Sequence, residues 1–237
     1  MVSKRDDVYA RLRNDILQGA IEPGQPISER AVAESLEASR VPVREALIQL
    51  ERDGLVTFAS QRGAFVRSFT PSMVVDLYEF RQALEGFAAG RAALVMQPAA
   101  LKPHIRAFER ALRRAAPDPV ATEREGSEFH EAILSGCGNG LVEQAAARIR
   151  DQTTLAKRMT YQRSDDEWLR RSAREHLAIA EAVSSRDPVE AANRMVAHIS
   201  AWSLRFGGDH RTTASQPASQ ASVAAARLRI SDREEST

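Results

Sequence analysis

Ser39-Arg40-Val41-Pro42-Val43-Arg44-Glu45-Ala46-Leu47-Ile48-Gln49-Leu50-Glu51-Arg52-Asp53-Gly54 is the stretch that decides the fold of this chain. Val43, Ala46, Leu47 and Leu50 recur at three- and four-residue intervals, so they share one stripe of a helix. Pro42 suits the first position of that helix, and Gly54 supplies its stop. The end opposite the stop carries Ser39, Arg40 and Arg44, away from the apolar stripe. That is the form of a helix that enters the DNA major groove, where the N-terminal residues meet base edges while the stripe packs behind them.

The flanking residues complete the unit. Upstream, Ser28 is a good N-cap, and Ile27 and Val32 are spaced as a hydrophobic staple, which predicts a second helix running to about Glu37. Before it, Val8, Leu12, Ile16 and Leu17 mark a first helix that ends at Gly19 and the turn-rich Glu22-Pro23-Gly24-Gln25-Pro26. Downstream, Leu55-Val56-Thr57-Phe58 and Ala64-Phe65-Val66 are strand-like runs around Ala59-Ser60-Gln61-Arg62-Gly63, which reads as a hairpin with Arg62 and Gly63 at its tip. Helices followed by a hairpin make a winged helix-turn-helix.

Thr70-Pro71 then reads as a cap followed by a first-position proline. It opens a helix carrying Met73, Leu77, Phe80, Leu84 and Phe87 on one stripe. From there to about residue 206 almost every segment has helical periodicity, broken at Pro98, Pro103, Pro117, Pro119, the Gly136-to-Gly140 loop and Pro188. The last helix shows Met195, Ile199, Trp202 and Phe206 on one stripe and stops at Gly207-Gly208. The expected architecture is mainly α: a winged helix-turn-helix over residues 1–70 and an all-α antiparallel bundle over 71–208. Residues 209–237, rich in Ala, Ser, Thr and Gln, are expected to form a disordered tail.

Bulk properties narrow the function. The 237 residues are 43% hydrophobic and 27% charged, the balance of an ordinary globular protein. No apolar run is long enough to span a membrane, and the charged N-terminus lacks the apolar core of a secretory signal, so a cytoplasmic location is expected. Cys137 is the only cysteine, which rules out an intrachain disulfide and thiolate zinc sites. The net charge is +1, and residues 1–70 hold ten bases against ten acids, so DNA binding must rest on the arrangement of cations.

Ser39, Arg40 and Arg44 are the expected base readers, because the planar arginine fork matches both acceptors of a guanine edge. Arg62 and Gly63 are placed to act as a wing on the backbone and minor groove, and Arg30 to meet a phosphate or base edge. The quoted helix, together with Ser28-Glu29-Arg30, Leu55 and Arg62-Gly63-Ala64-Phe65-Val66, resembles the DNA-binding domain of the GntR family of bacterial regulators over residues 6–67. The resemblance implies a homodimer on a short pseudo-palindromic operator, with Arg30, Arg40, Arg44 and Gly63 at DNA-contacting positions. Val41 departs from it, since relatives commonly carry threonine there. Valine neither caps the helix nor hydrogen-bonds to DNA, so one operator step is expected to differ, or a thymine methyl to replace the polar contact.

In the second half, His130, His176 and His198 sit beside apolar positions of helices, where a histidine is usually a core residue with one hydrogen bond. Neutral imidazoles also bind zinc, and a bundle can bring them together from distant positions. Phe129-His130, Gly138-Asn139, Glu175-His176-Leu177-Ala178-Ile179 and Ala191-to-Ile199, with Tyr78, Arg81 and Glu85, resemble the FCD effector domain of the FadR-like branch of GntR regulators over residues 72–203. The resemblance implies a divalent metal, zinc or similar, on three histidines and an aspartate one turn before the first, with the metal and an arginine holding the carboxylate of a small organic acid. Here the aspartate position is Gly126, and Glu123 and Glu125 are expected to face away or lie too far along the helix. Two readings stay open: a three-histidine metal site, or a metal-free pocket in which the imidazoles and Arg81 bind the effector directly. Arg81 is either a carboxylate clamp or the partner of Glu85 one turn on. Asn139 is expected to cap a helix, and Trp168 and Trp202 to serve packing.

The expected function is a sequence-specific transcription regulator, a repressor, controlled by a small carboxylate. A zinc-dependent enzyme is the contrasting class. It lacks an obvious general base near His130 and leaves the DNA-reading module without a purpose. An architectural DNA-binding protein with no effector is the third class.

Overall fold

The computed structural model describes residues 3–160 and 165–207, without the side chains of residue 160 and residues 204–207. The expected tail, 209–237, and the Phe206 side chain lie outside what is described. Within these residues the order is α1 (Lys4–Gln18), β1 (Pro26–Ile27), α2 (Glu29–Ser35), α3 (Arg40–Arg52), β2 (Val56–Ala59) and β3 (Gly63–Val66). There follow α4 (Pro71–Val95), a 3-10 turn (Pro98–Leu101), α5 (Lys102–Arg113), α6 (Pro119–Gly136), α7 (Gly140–Thr160), α8 (Asp166–Ser184) and α9 (Pro188–Gly207). The molecule is mainly helical, with a winged helix-turn-helix ahead of a helical bundle. Among the described residues no helix is long and apolar enough to cross a membrane.

Local chemistry sets the boundaries. Ser28 caps α2 by accepting from the Ala31 N–H, and Thr70 caps α4 by accepting from the Met73 N–H at 3.3 Å. Gly19 and Gly54 end α1 and α3 in the left-handed region, with φ of +78° and +76°. Three expectations shift. The N-cap of α3 is Ser39, so Pro42 is its third residue; proline fits there because the first turn's N–H groups have no intrahelical acceptor. Helix α2 ends at Ser35, short of Glu37. The hairpin is part of a three-stranded antiparallel sheet in the order β1-β3-β2, with Pro26 opposite Phe65 and Val56 opposite Val66.

The head is held by Val8, Leu12 and Ile16 of α1 against Val43, Leu47 and Leu50 of α3, all buried. Each such side chain contributes about 1.5–3 kcal/mol when removed from water. In the bundle α4 runs along α9, α5 packs on α8, and α6 lies across α4 and α8. Helix α7 touches α4 and α6 and also reaches α1 of the head. The stripe expected on α4 divides: Leu77 is buried, Met73 and Leu84 are partly buried against the core, and Phe80 and Phe87 stand exposed on another face.

Candidate effector site and nucleic-acid interface

The bundle holds a small, partly open cavity whose wall includes Arg81 of α4, Glu123 and His130 of α6, Lys157 of α7, His176 of α8 and His198 of α9. A helical phase places each side chain: Arg81 and Glu85 are one turn apart on the buried face of α4, and His176 lies on the stripe with Ala173, Ile179 and Ala180. The three imidazoles converge, with one ring nitrogen from each lying within 4.8 Å of the others. Among the described residues this is the one group of histidine, cysteine or acidic side chains with the spacing of a metal site.

Two of the imidazoles are oriented by carboxylates. His130 Nδ1–H donates to Glu85 Oε2, and His198 Nδ1–H donates to Glu175 Oε2 at 2.8 Å. Each bond leaves Nε2 as a lone pair, which is the arrangement of histidine ligands supported from behind. His130 Nε2 faces His176 Nε2 at 3.1 Å, so His176 is the donor and its own Nδ1 is buried without a partner. To ligate through Nε2, His176 must carry its proton on Nδ1 instead. Burial lowers the pKa of all three: His198 is pushed down to about 4, His176 is well below its ordinary value, and His130 is lowered although Glu85 opposes this. Neutral imidazole is the ligating form, so the donor set fits a zinc-like ion.

Both readings of Arg81 meet in one place. Its Nε donates to Glu85 Oε1 at 2.7 Å, with both side chains buried, and the guanidinium also lines the cavity and lies 5.1 Å over the Tyr78 ring. Burial alone would raise the Glu85 pKa, but Arg81 and His130 reverse this and keep it a carboxylate. Lys157 is a cavity residue that sequence patterns do not single out; burial, with Arg81 nearby, pushes it down to about 8.

Gly126 lies on the cavity wall, and a Cβ built there would stand 2.8 Å from His176 Cε1. The His176 ring therefore leans over the backbone where a side chain would otherwise project, stacked on Phe108 at 5.0 Å. Of the two branches expected for Glu123, facing away is corrected, since it faces the cavity with its Oε1 buried and without a hydrogen-bond partner, while it lies too far along α6 to join the group of three imidazoles. Seven residues make almost two full turns, so Glu123 shares the face of His130. Glu125 turns away, as expected, and pairs with His104 at 2.6 Å. Asn139 Oδ1 accepts from the Leu141 and Val142 N–H groups at the start of α7. Trp168 and Trp202 pack edge to face at 5.1 Å, and Trp202 also lines the cavity.

At the other end of the molecule, Ser39, Arg40, Val41 and Arg44 are exposed together at the start of α3. The Ser39 hydroxyl makes no capping bond, and Val41 is 67% exposed, an apolar side chain with no core to join. Arg30 is exposed at the start of α2 and pairs with Glu34 at 2.9 Å. Arg62 lies 5.4 Å over the Phe65 ring at the hairpin tip, beside Gly63, whose φ is +85°.

Residues 4–66 match the gntR family of bacterial regulatory proteins, and residues 76–201 match the FCD domain. The chain is 33% identical over 185 residues to an HTH-type transcriptional regulator of Mycobacterium tuberculosis, covering 75% of this chain and 72% of that one. It is 29% identical over 196 residues to the HTH-type transcriptional repressor RspR of Escherichia coli, covering 81% and 84%. In fold it is similar to McbR/YncC of Escherichia coli, with a TM-score of 0.71 at 18% identity, covering 89% of this chain and all of that one. A GntR regulator from Rhodococcus sp. RHA1 gives the same TM-score at 20% identity. The family matches and the regulators among the relatives make this a transcription regulator rather than an enzyme, and the chain belongs to the GntR family of bacterial transcription regulators, with an FCD domain as its second half.

Proposed function

We propose that this chain is a cytoplasmic repressor that binds a pseudo-palindromic operator as a homodimer and changes its operator affinity when a small organic acid enters the FCD cavity. The observation that carries this reading is the convergence of three imidazoles, two of them supported by carboxylates, with Arg81 and Lys157 in one cavity of the chain that bears the head. His130, His176 and His198 would hold a divalent metal such as zinc, which supplies a Lewis-acidic point for a carboxylate oxygen when bound. Arg81 orients the acid through its fork, and the Arg81–Glu85 pair keeps that fork buried and charged in its absence. The head division falls near residue 70, with residues 71–208 as the effector and dimerisation half.

Arg30, Ser39, Arg40, Arg44, Arg62 and Gly63 are assigned to DNA, with Val41 meeting a thymine methyl. The dimer is supported by α4 and α9: Phe80, Phe87 and Leu94 stand exposed at seven-residue spacing, beside exposed Val189 and Val196 of α9. Phe87, Leu94 and Val196 line one open groove between α4 and α9; an exposed apolar surface of this kind marks a contact with another surface, and a two-fold copy covers it with itself.

Two measurements test the reading. On duplexes selected by the wild-type protein from a random library, Arg44→Ala is expected to lose about 1–3 kcal/mol of discrimination at one step of each half-site. Unchanged selectivity overturns the base-reading assignment. In zinc-dialysed protein, His176→Ala is expected to remove the bound metal, and short carboxylic acids are expected to raise the wild-type melting temperature. Equal metal content in the variant removes the metal site; no response to any acid removes the effector.

A further inference from the structure

Helix α7 has two occupied faces. Lys157 lines the cavity, and Ile149, Thr153 and Lys157 line an adjoining pocket between α6 and α7 that shares Arg81, Ser127 and His130 with it. The other face holds the DNA head. Asp151 accepts both branches of the Arg13 fork from α1, with Nη2 to Oδ1 at 2.6 Å, and is itself buried. Gln152 Nε2 donates at 3.0 Å to the carbonyl of Asp53, the residue that ends α3. Tyr9 OH donates to Asp53 Oδ2 at 2.9 Å, so α1, α3 and α7 are tied at one point.

The glycines that close α1 and α3 are where α7 lies against the head. A Cβ on Gly54 would stand 2.5 Å from Gln152 Nε2, and one on Gly19 would stand 1.7 Å from Arg158 Nη2. Side-chain N–H donors of α7 thus reach the C-terminal ends of both head helices, where free carbonyls and the negative end of the helix dipole gather. Helix α3 is the recognition helix, and its thirteen residues span about 20 Å. A tilt of about 10° at the docked end moves Arg40 and Arg44 by about 3 Å, the size of one base-pair step.

We propose that Asp151 and Gln152 are positioning residues for the recognition helix, and that α7 carries the state of the cavity, felt at Lys157 and along the adjoining pocket wall at Thr153, to the placement of the DNA head. The proposal rests on the cavity being the effector site. Less than two helical turns separate the cavity residues from the docking residues, so a shift of the α7 wall displaces both. In a dimer, a change in the placement of each head alters whether both half-sites can be engaged at once.

Amide hydrogen exchange on the full chain, without metal or acid, tests the coupling directly. Lys157→Met, in the cavity, and, as a second variant, Thr153→Val, in the adjoining pocket, are changed only on the face of α7 away from the head. At least one of them is expected to raise exchange about tenfold in the segments 13–20 and 49–56 of the head. Asp151→Asn is expected to raise exchange in the same segments, with Asp151→Glu retaining part of the protection. Asp151→Asn with Gln152→Ala is expected to weaken binding to the selected duplex about tenfold while leaving a scrambled duplex unaffected. Wild-type exchange in the head for both cavity variants overturns the coupling. Wild-type affinity of the double variant for the selected duplex overturns the positioning role. Because no ligand is present, a failure of every acid to bind would defeat the effector reading while leaving these results to stand on their own.

Discussion

His198 illustrates what burial does to a single residue. An imidazole in the unfolded chain titrates near about 6.5, whereas in the fold burial pushes His198 down to about 4, even with Glu175 against its Nδ1. Between those values the unfolded chain binds a proton that the native state refuses, so stability is complete above about 6.5 and is lost as the pH falls toward 4. The residue is 3% exposed, and its contribution across that window is on the order of 3 kcal/mol. His130 and His176, also lowered by burial, act in the same direction. Urea unfolding at pH 7 and pH 5 is expected to show the loss, and His198→Leu to flatten it; equal pH slopes for the two proteins would rule this out. At this scale the sequence was informative about residue types and less so about partners. The histidines and Arg81 were readable as a group, through the resemblance, but Lys157 has no marking pattern between Ala156 and Arg158. Only the crossing of α7 over α4 and α6 brings it into the cavity.

Helices were the most legible elements, because caps and apolar spacing act locally: Ser28, Thr70, Gly19 and Gly54 do in the fold what their sequence context suggests. Strand β1 was not legible. It is two residues long, begins with a proline that has no N–H to offer, and exists only because β3 lies beside it. Helix α4 was legible as a helix and misleading as a stripe. Its apolar residues serve two faces, one inside the bundle and one outside, and period alone cannot tell a core contact from a contact with a second chain. The outer face gives a direct expectation. Phe87, half exposed in the single chain, would lie at the centre of the dimer contact, so Phe87→Asp would bury a charge in apolar surroundings. Light scattering is expected to show the mass falling from twice 26.1 kDa to 26.1 kDa, with the helical circular-dichroism spectrum preserved. A variant that stays dimeric places the interface elsewhere.

Across the whole molecule the charges nearly cancel, with 33 lysines and arginines against 32 acids. Such a chain has no long-range pull on a polyanion, so its DNA affinity must come from the few cations that the head presents locally. Arg40, Arg44 and Arg62 are exposed at the start of α3 and at the hairpin tip. Arg30 shares its charge with Glu34, and Arg13 is committed to Asp151. The binding constant should therefore fall with salt along a slope set by these cations, doubled by a second copy in the proposed dimer. Each lost phosphate contact lowers that slope by about 0.9, so Arg62→Ala is expected to reduce it by about two across the dimer. The loss should be similar for the selected and the scrambled duplex, because a wing cation on the backbone carries little sequence information. Arg81→Met, inside the bundle, is expected to leave the slope unchanged. Fluorescence anisotropy from 50 to about 200 mM salt measures all three proteins. An unchanged slope in Arg62→Ala would remove the wing from the interface, and a reduced slope in Arg81→Met would mean that the net field of the chain, rather than the head alone, governs its attraction to DNA.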